Sequence, residues 1–332
     1  MKLGVIGVGR IGAHHAGVLK GLDDVEAIHA TDVVPGAAAK VSAELGLTPF
    51  DTPEDLFRSG INGLIIASST PTHPEFVMAA LEAGIPTFCE KPVADNPRAA
   101  QELLDKTSGT DVPVHIGFHR RFDPGHVRAK EELRSGNLGF VHTIRSTVLD
   151  PAPPPAEYIA ISGGIYHDCS VHDIDAIRWV SDSQVVEVFA AGGNRGEAFF
   201  KEAGDVDTGA AILRLEDGTI GIISNSRYNG GGYDVRLELH GSRGAVSAGL
   251  DDSYPMRSLE EGVEFPKGPP ASFFMDRFKA AYIAELTAFT EVVAGLRESP
   301  CTIADAVETS WVAEACTVSL RENRLVRLDE LR

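Results

Sequence analysis

Positive charge is scarce in this chain: 30 lysines and arginines stand against 48 aspartates and glutamates among 332 residues, a net charge of −18 with histidine neutral. Such a surface repels a polyphosphate backbone, and no dense basic cluster overrides this locally, so no nucleic acid is expected as a partner. Cysteine is scarce as well. The four, at positions 89, 169, 301 and 316, form no CxxC pair and no metal-ligand spacing, which points to reduced thiols and a cytoplasmic location. No apolar run approaches the ~20 residues of a membrane-spanning helix, so no membrane partner is expected either. The N-terminal stretch is apolar, but Gly4, Gly7 and Gly9 divide it into strand and loop rather than a signal peptide. The chain is 43% hydrophobic and 23% charged, an ordinary globular composition, and it is long enough that two domains are expected.

The residues present early in the chain are informative. Lys2 to Val8 is an apolar run of strand length, followed by Gly7-Val8-Gly9-Arg10-Ile11-Gly12 and a helical pattern through Leu19. A GxGxxG between a buried strand and a helix start is the dinucleotide fingerprint. Gly7 permits the tight turn, Gly9 lets the backbone approach a pyrophosphate, and Gly12 lets helix and strand pack closely. The next strand, Val25 to Thr31, ends on Asp32, 20 residues after Gly12. A carboxylate there accepts ribose hydroxyls and repels a 2′-phosphate, so NAD is the expected cofactor.

Apolar runs then alternate with helical patterns at 63–67, 74–82, 86–89, 97–106 and 112–118, which is repeated βαβ and hence a parallel sheet. Ser69-Thr70-Pro71-Thr72-His73 and Glu90-Lys91-Pro92 leave strands at the carboxyl edge, where such folds place ligands. Capping of the next helix would also account for the hydroxyls, and a lone lysine at a strand end reads equally as a solvated cation. Past Phe118 the alternation stops. Runs of β type follow at 185–191, 210–215, 220–226, 235–240 and 244–248, and two long helical patterns at 276–296 and 303–321 close the chain. These runs predict a mostly antiparallel sheet. Its face bearing Ile212, Leu213, Ile220, Ile222 and Ile223 serves either as a subunit interface or as a seat for helices of the same chain.

Between these halves, His167, Asp168, His172, Asp173 and Asp175 fall within nine residues of Gly163–Asp175. On one helix, Asp168 and His172 are i and i+4, one turn apart, with Asp175 further along the same stripe. A carboxylate can thus orient an imidazole, and an imidazole, which titrates at about 6.5, suits a general base. A metal site is the rival reading, but His167 and His172, five apart, do not share a helical face, and no metal is expected.

Five segments together resemble the Gfo/Idh/MocA oxidoreductases: GVGRIG at 7–12, STPTH at 69–73, EKP at 90–92, GFHRRFDP at 117–124 and GGIYHDCSVHDID at 163–175. DPAPPPAEYI at 150–159, NSRYNGGGYDVRLELHGSRG at 225–244 and FFMDRFKAAYIAEL at 273–286 are similar to the inositol dehydrogenase branch. The resemblance implies an α/β chain: a Rossmann dinucleotide-binding domain at 1–118, then an α+β domain at 119–332 on a mostly antiparallel open sheet, serving substrate binding and oligomerisation. It implies Lys91, Asp168 and His172 as the catalytic trio, with a cis bond between Lys91 and Pro92. Cofactor binding falls to Gly7, Gly9, Arg10, Ile11, Gly12, Asp32, Ser69, Thr70, Pro71, His73, Glu90 and Lys91. Substrate contact falls to Lys91, His119, Arg120, Asp168, His172 and Tyr282.

The activity so implied is NAD-dependent oxidation of a secondary alcohol of a cyclitol or sugar, with myo-inositol first and scyllo-inositol or an aldopyranose next. A homo-oligomer, dimer or tetramer, is implied too. The family also holds a non-catalytic, sugar-sensing regulator, but a sensor needs neither a base nor its orienting acid. One departure stands out: Leu149 occupies the place of an arginine in related SRDPAPPP segments, which bears on the choice of substrate.

Overall fold

A computed structural model of the protein describes residues 1–264 and 266–332. They form two compact units, Met1–His119 with Ala280–Glu308, and Arg120–Lys279 with Thr309–Arg332. This division differs from a single cut after residue 118. The segment Ala280–Glu308 joins the first unit because Leu286 and Phe289 are buried in its core with Leu3, Val5, Ile65 and Phe88.

The first unit carries β1 (Lys2–Ile6), β2 (Ala27–Thr31), β3 (Thr48–Pro49), β4 (Gly63–Ile66), β5 (Thr87–Cys89) and β6 (Val114–Ile116). They pair in parallel in the order β3-β2-β1-β4-β5-β6. A parallel sheet is covered on both faces, which is why these strands read as continuous apolar runs and every residue of β4 is buried. The order reverses between β1 and β4, and a doubly wound sheet opens a crevice at the carboxyl ends of such a pair. The loops Gly7–Gly9 and Ser68–Ser69 leave β1 and β4 at that point.

The second unit carries β7 (Val141–Leu149), β8 (Val185–Gly193), β9 (Thr208–Leu215), β10 (Ile220–Ser226), β11 (Asp234–Gly241), β12 (Ala245–Ala248) and β13 (Val326–Arg327). Their order is β12-β11-β7-β10-β9-β8-β13. β7 and β10 run parallel, and the other five neighbouring pairs are antiparallel. The expectation that helices of the same chain cover this sheet holds on one face, and the other face is open. In β9, Ala211 and Leu213 are buried while Ile212 between them is 53% exposed, as the two-residue strand period requires. The helix Val171–Ser181 packs against β7 and β10 on the covered side. Among the described residues no helix is long and apolar enough to cross a membrane.

Two local departures matter for the site. The central strand β7 is absent from the sequence reading because its buried face, Ile144, Ser146 and Val148, includes a polar residue that blurs the apolar alternation. The helix expected to carry both Asp168 and His172 is broken. It runs Ile165–Asp168, pauses at Cys169 and Ser170, and resumes as Val171–Ser181. At the break the Ser170 amide reaches back five residues to the Ile165 carbonyl, and its hydroxyl donates to Asn225 Oδ1. A serine side chain bonded elsewhere competes with regular helix in this way.

Candidate active site

The glycine turn after β1 is shaped by contacts that only glycine allows. Gly7 has φ of +89°, and a Cβ on Gly12 would lie 1.9 Å from the Gly7 carbonyl oxygen. At Gly9 a Cβ would meet nothing within 4 Å, so there is open space beside the chain at the N-terminus of the helix Arg10–Lys20, where an anion is favoured. Arg10 is exposed and Ile11 packs against the core. Asp32 follows β2 with one carboxylate oxygen accepting from the Val8 amide at 2.7 Å and the other from the Val34 amide at 2.8 Å. Both oxygens keep a lone pair for a ribose diol, so these residues fit a dinucleotide without a 2′-phosphate.

The two edge motifs of this unit are tied together by histidines. His15, fully buried, bonds Glu90 Oε1 at 2.6 Å, and Glu90 Oε2 accepts the Lys91 amide at 3.1 Å. The Lys91–Pro92 bond is cis. His73, expected at the cofactor, is instead 1% exposed, with Nδ1 2.9 Å from the Pro92 carbonyl and Nε2 3.1 Å from that of Ser68. Its ring is taken up by the backbone and serves to hold these loops. Glu90 likewise holds the Lys91 segment in place. Ser69 is exposed, and Thr70 and Pro71 form the first turn of a short 3₁₀ segment. Tyr282 lies with His119 stacked on it at 4.8 Å and His14 edge-on at 4.9 Å, and both Tyr282 and His119 are buried. Burial and the neighbouring His15 push His14 below the ordinary imidazole value, with Glu90 opposing them.

In the second unit the Gly163–Asp175 segment separates into distinct roles. Asp173, fully buried, accepts from Arg120 Nη1 at 2.8 Å, Ser146 Oγ at 2.5 Å and Asn225 Nδ2 at 2.7 Å. Asp175, 1% exposed, takes a two-point bond from Arg121 at 2.9 and 2.6 Å. It is therefore an internal anchor rather than part of a stripe with Asp168. Arg120, expected at the substrate, is 2% exposed, paired with Asp173 and set over the Phe278 ring. His167 turns onto Glu314 at 3.1 Å. Among the described residues no three ligand-type side chains are grouped to hold a metal ion.

Asp168 is only partly buried and differently held. Its Oδ1 accepts from the Tyr158 hydroxyl at 2.7 Å and its Oδ2 from Arg227 Nη2 at 2.6 Å, while Arg227 Nη1 reaches Asp150 at 3.1 Å. His172, half-buried, stands at the second position of the resumed helix. Arg227 and Tyr158 were not singled out from sequence, although both lie in segments similar to the inositol dehydrogenases. Their signal was present but carried no chemistry until the fold brought them to Asp168.

Residues 1–118 match an oxidoreductase family with an NAD-binding Rossmann fold, and residues 126–247 match the GFO/IDH/MocA C-terminal domain. The chain belongs to the Gfo/Idh/MocA oxidoreductase family. It is 35% identical to a Thermotoga maritima protein named myo-inositol 2-dehydrogenase, covering 100% of this chain and 99% of the other. The crystal structure of a probable dehydrogenase from Thermotoga maritima matches it with a TM-score of 0.93 at 34% identity, covering 100% of both chains. A scyllo-inositol dehydrogenase from Lactobacillus casei, crystallised with NAD(H) and scyllo-inositol, matches with a TM-score of 0.90 at 29% identity over 99% of each. As a Gfo/Idh/MocA oxidoreductase the protein takes NAD, and the Gly7–Gly12 turn with Asp32 is the part of this chain that fits it.

Proposed function

We propose that this oxidoreductase is an NAD-dependent inositol 2-dehydrogenase that oxidises a secondary alcohol of a cyclitol to a ketone, with myo-inositol as its first substrate. The observation that carries this reading is the similarity, along the whole chain, to the Thermotoga maritima protein named myo-inositol 2-dehydrogenase. The likeness to a scyllo-inositol dehydrogenase and the presence of Leu149 keep scyllo-inositol and aldopyranoses as the substrates to compare.

In this reading His172 accepts the hydroxyl proton on its ring, a contribution of typically about 10²- to 10⁴-fold. Asp168, fixed by Tyr158 and Arg227, orients the ring and stabilises its protonated form. Lys91, on a segment braced by Glu90 and His15, hydrogen-bonds the reacting oxygen and favours the developing alkoxide. When bound, NAD supplies the electron-pair acceptor of the oxidation. His119 and Tyr282, stacked together, complete the proposed substrate side of the first unit.

We also propose a cytoplasmic homo-oligomer. Support comes from four buried cysteines that form no disulfide and from the open sheet face, where Phe189 and Ile212 are 39% and 53% exposed among the ion pairs Arg214–Glu187 and Arg145–Glu238. The function is tested by following NADH formation with myo-inositol, scyllo-inositol and a set of aldopyranoses. Turnover is expected with a cyclitol, with NAD preferred over NADP. No turnover with any of them and either cofactor would overturn the reading in favour of a non-catalytic sensor.

A further inference from the structure

Arg227 lies where the topology of the second sheet leaves a buried cation between two carboxylates. β7 and β10 pair in parallel with Leu149 opposite Ser226, so the residues that follow the two strands, Asp150 and Arg227, emerge side by side at one end of the sheet. The Asp150 amide donates to the Ser226 carbonyl at 2.8 Å and the Arg227 amide to the Asp207 carbonyl at 2.8 Å, which fixes both backbones. The Arg227 side chain, 5% exposed, then spans Asp150 at 3.1 Å and Asp168 at 2.6 Å. A buried cation is tolerated only when paired, and two facing carboxylates without it would not both remain ionised.

The charged and titratable groups around Asp168 come from several elements. They are Tyr158 from the helix Ala156–Ile159, Asp150 after β7, Arg227 after β10, Cys169 at the helix break, and Arg120 and Asp173 as a neutralised pair behind them. Burial pushes the Asp150 carboxyl up, Arg227 opposes that, and Asp168 adds to it. Burial opposes the Arg227 charge, but Cys169, Asp168 and Asp150 outweigh it and hold the guanidinium firmly charged. The cluster is thus poised on one cation.

We propose that Arg227 is a positioning residue of the reaction: bridging Asp150 and Asp168, it keeps Asp168 ionised and fixed in orientation for its task on His172. The inference rests on the reading of Asp168 and His172 given above. Asp168 accepts from Tyr158 on one oxygen and from Arg227 on the other, and these two bonds fix the plane of the carboxylate. Protonated Asp168 could neither orient nor stabilise a protonated imidazole. Loss of Arg227 makes the surroundings more negative, which favours protonation of Asp168 and of the base alike. Both effects move the acid limb of the rate profile to higher pH.

The test is the pH profile of kcat/KM for NAD-dependent oxidation of myo-inositol, or of whichever cyclitol the holoenzyme turns over. R227M should lower kcat about tenfold or more at neutral pH, leave KM for NAD unchanged, and raise the acid limb by about one pH unit. R227K should restore most of the rate and the position of the limb. D150N, which removes a negative charge and keeps the fold's other contacts, should move the limb the opposite way, to lower pH. In a D168N background R227M should add little, because the two residues act as a unit.

An acid limb that stays put in both R227M and D150N would overturn the proposal, as would R227K as slow as R227M. Should R227M fail to fold, D150N and R227K decide the matter by the same limb. H172A keeps the two levels apart. Wild-type turnover in H172A removes the base assignment itself, whereas a slow H172A with unmoved limbs in the other variants removes only the role of Arg227.

Discussion

Asp32 illustrates how a residue's chemistry and its placement combine. Both carboxylate oxygens are pinned by backbone amides, Val8 and Val34, so the charge points in a fixed direction and cannot swing away from a 2′-phosphate. Asp32→Ala should therefore lower the ratio of kcat/KM for NAD over NADP by about tenfold or more. An unaltered ratio in steady-state kinetics would remove Asp32 from the ribose site. At this scale the sequence displays chemical type but not partners. Asp32 was legible because its meaning depends on spacing from Gly12. His73 and Arg120 were not, because their roles depend on the Pro92 carbonyl and on Asp173, 53 residues from Arg120. Lys91 was legible only through resemblance, since nothing local distinguishes it from a solvated lysine.

Elements were legible where one rule governed them and hidden where two competed. The strand-turn-helix at 2–20 follows from apolar run, glycine turn and helical pattern together. A Cβ at residue 12 would collide with the Gly7 carbonyl oxygen at 1.9 Å, so Gly12→Ala should lower stability by about 1–3 kcal/mol and weaken NAD binding. Urea denaturation and NAD titration check it, and unchanged values for both would contradict the packing described. The helix break at Cys169 and Ser170 was hidden because the competing partner, Asn225, is remote in sequence.

The helix Pro124–Arg134 provides a second test at this scale. Its N-cap Asp123 accepts from the His126 amide and ring and from Arg277. Burial opposes ionisation of Asp123, but His126 and then Arg277 outweigh it and hold the carboxyl well below its usual range. A depressed carboxyl stabilises the fold above its unfolded value of about 3.9, and that contribution is lost as pH falls below it. Asp123→Asn should therefore cost about 1 kcal/mol or more at pH 7, with the gap to wild type closing below about pH 4. A gap independent of pH in denaturation curves would show that the charge contributes nothing.

For the whole molecule, the alternation of βαβ units against consecutive strands foretold a parallel sheet followed by a mostly antiparallel one. It did not foretell that Ala280–Glu308 joins the first unit, because a helix pattern shows an apolar face without showing which core receives it. The exposed face of the second sheet leads to a prediction at this scale. Wild-type protein should be oligomeric by light scattering, and Ile212→Glu on the open face should yield smaller species with unchanged far-UV circular dichroism. A monomeric wild type would dispose of the interface.

The central claim, a cyclitol dehydrogenase in which His172 is the base, is tested most directly by the initial rate of NADH formation from myo-inositol at saturating NAD, measured for wild type and His172→Ala together. The account predicts turnover by the wild type and a loss of about 10²- to 10⁴-fold in the variant, with NAD affinity retained. Equal rates for the two proteins, or no NADH from the wild type, would contradict it.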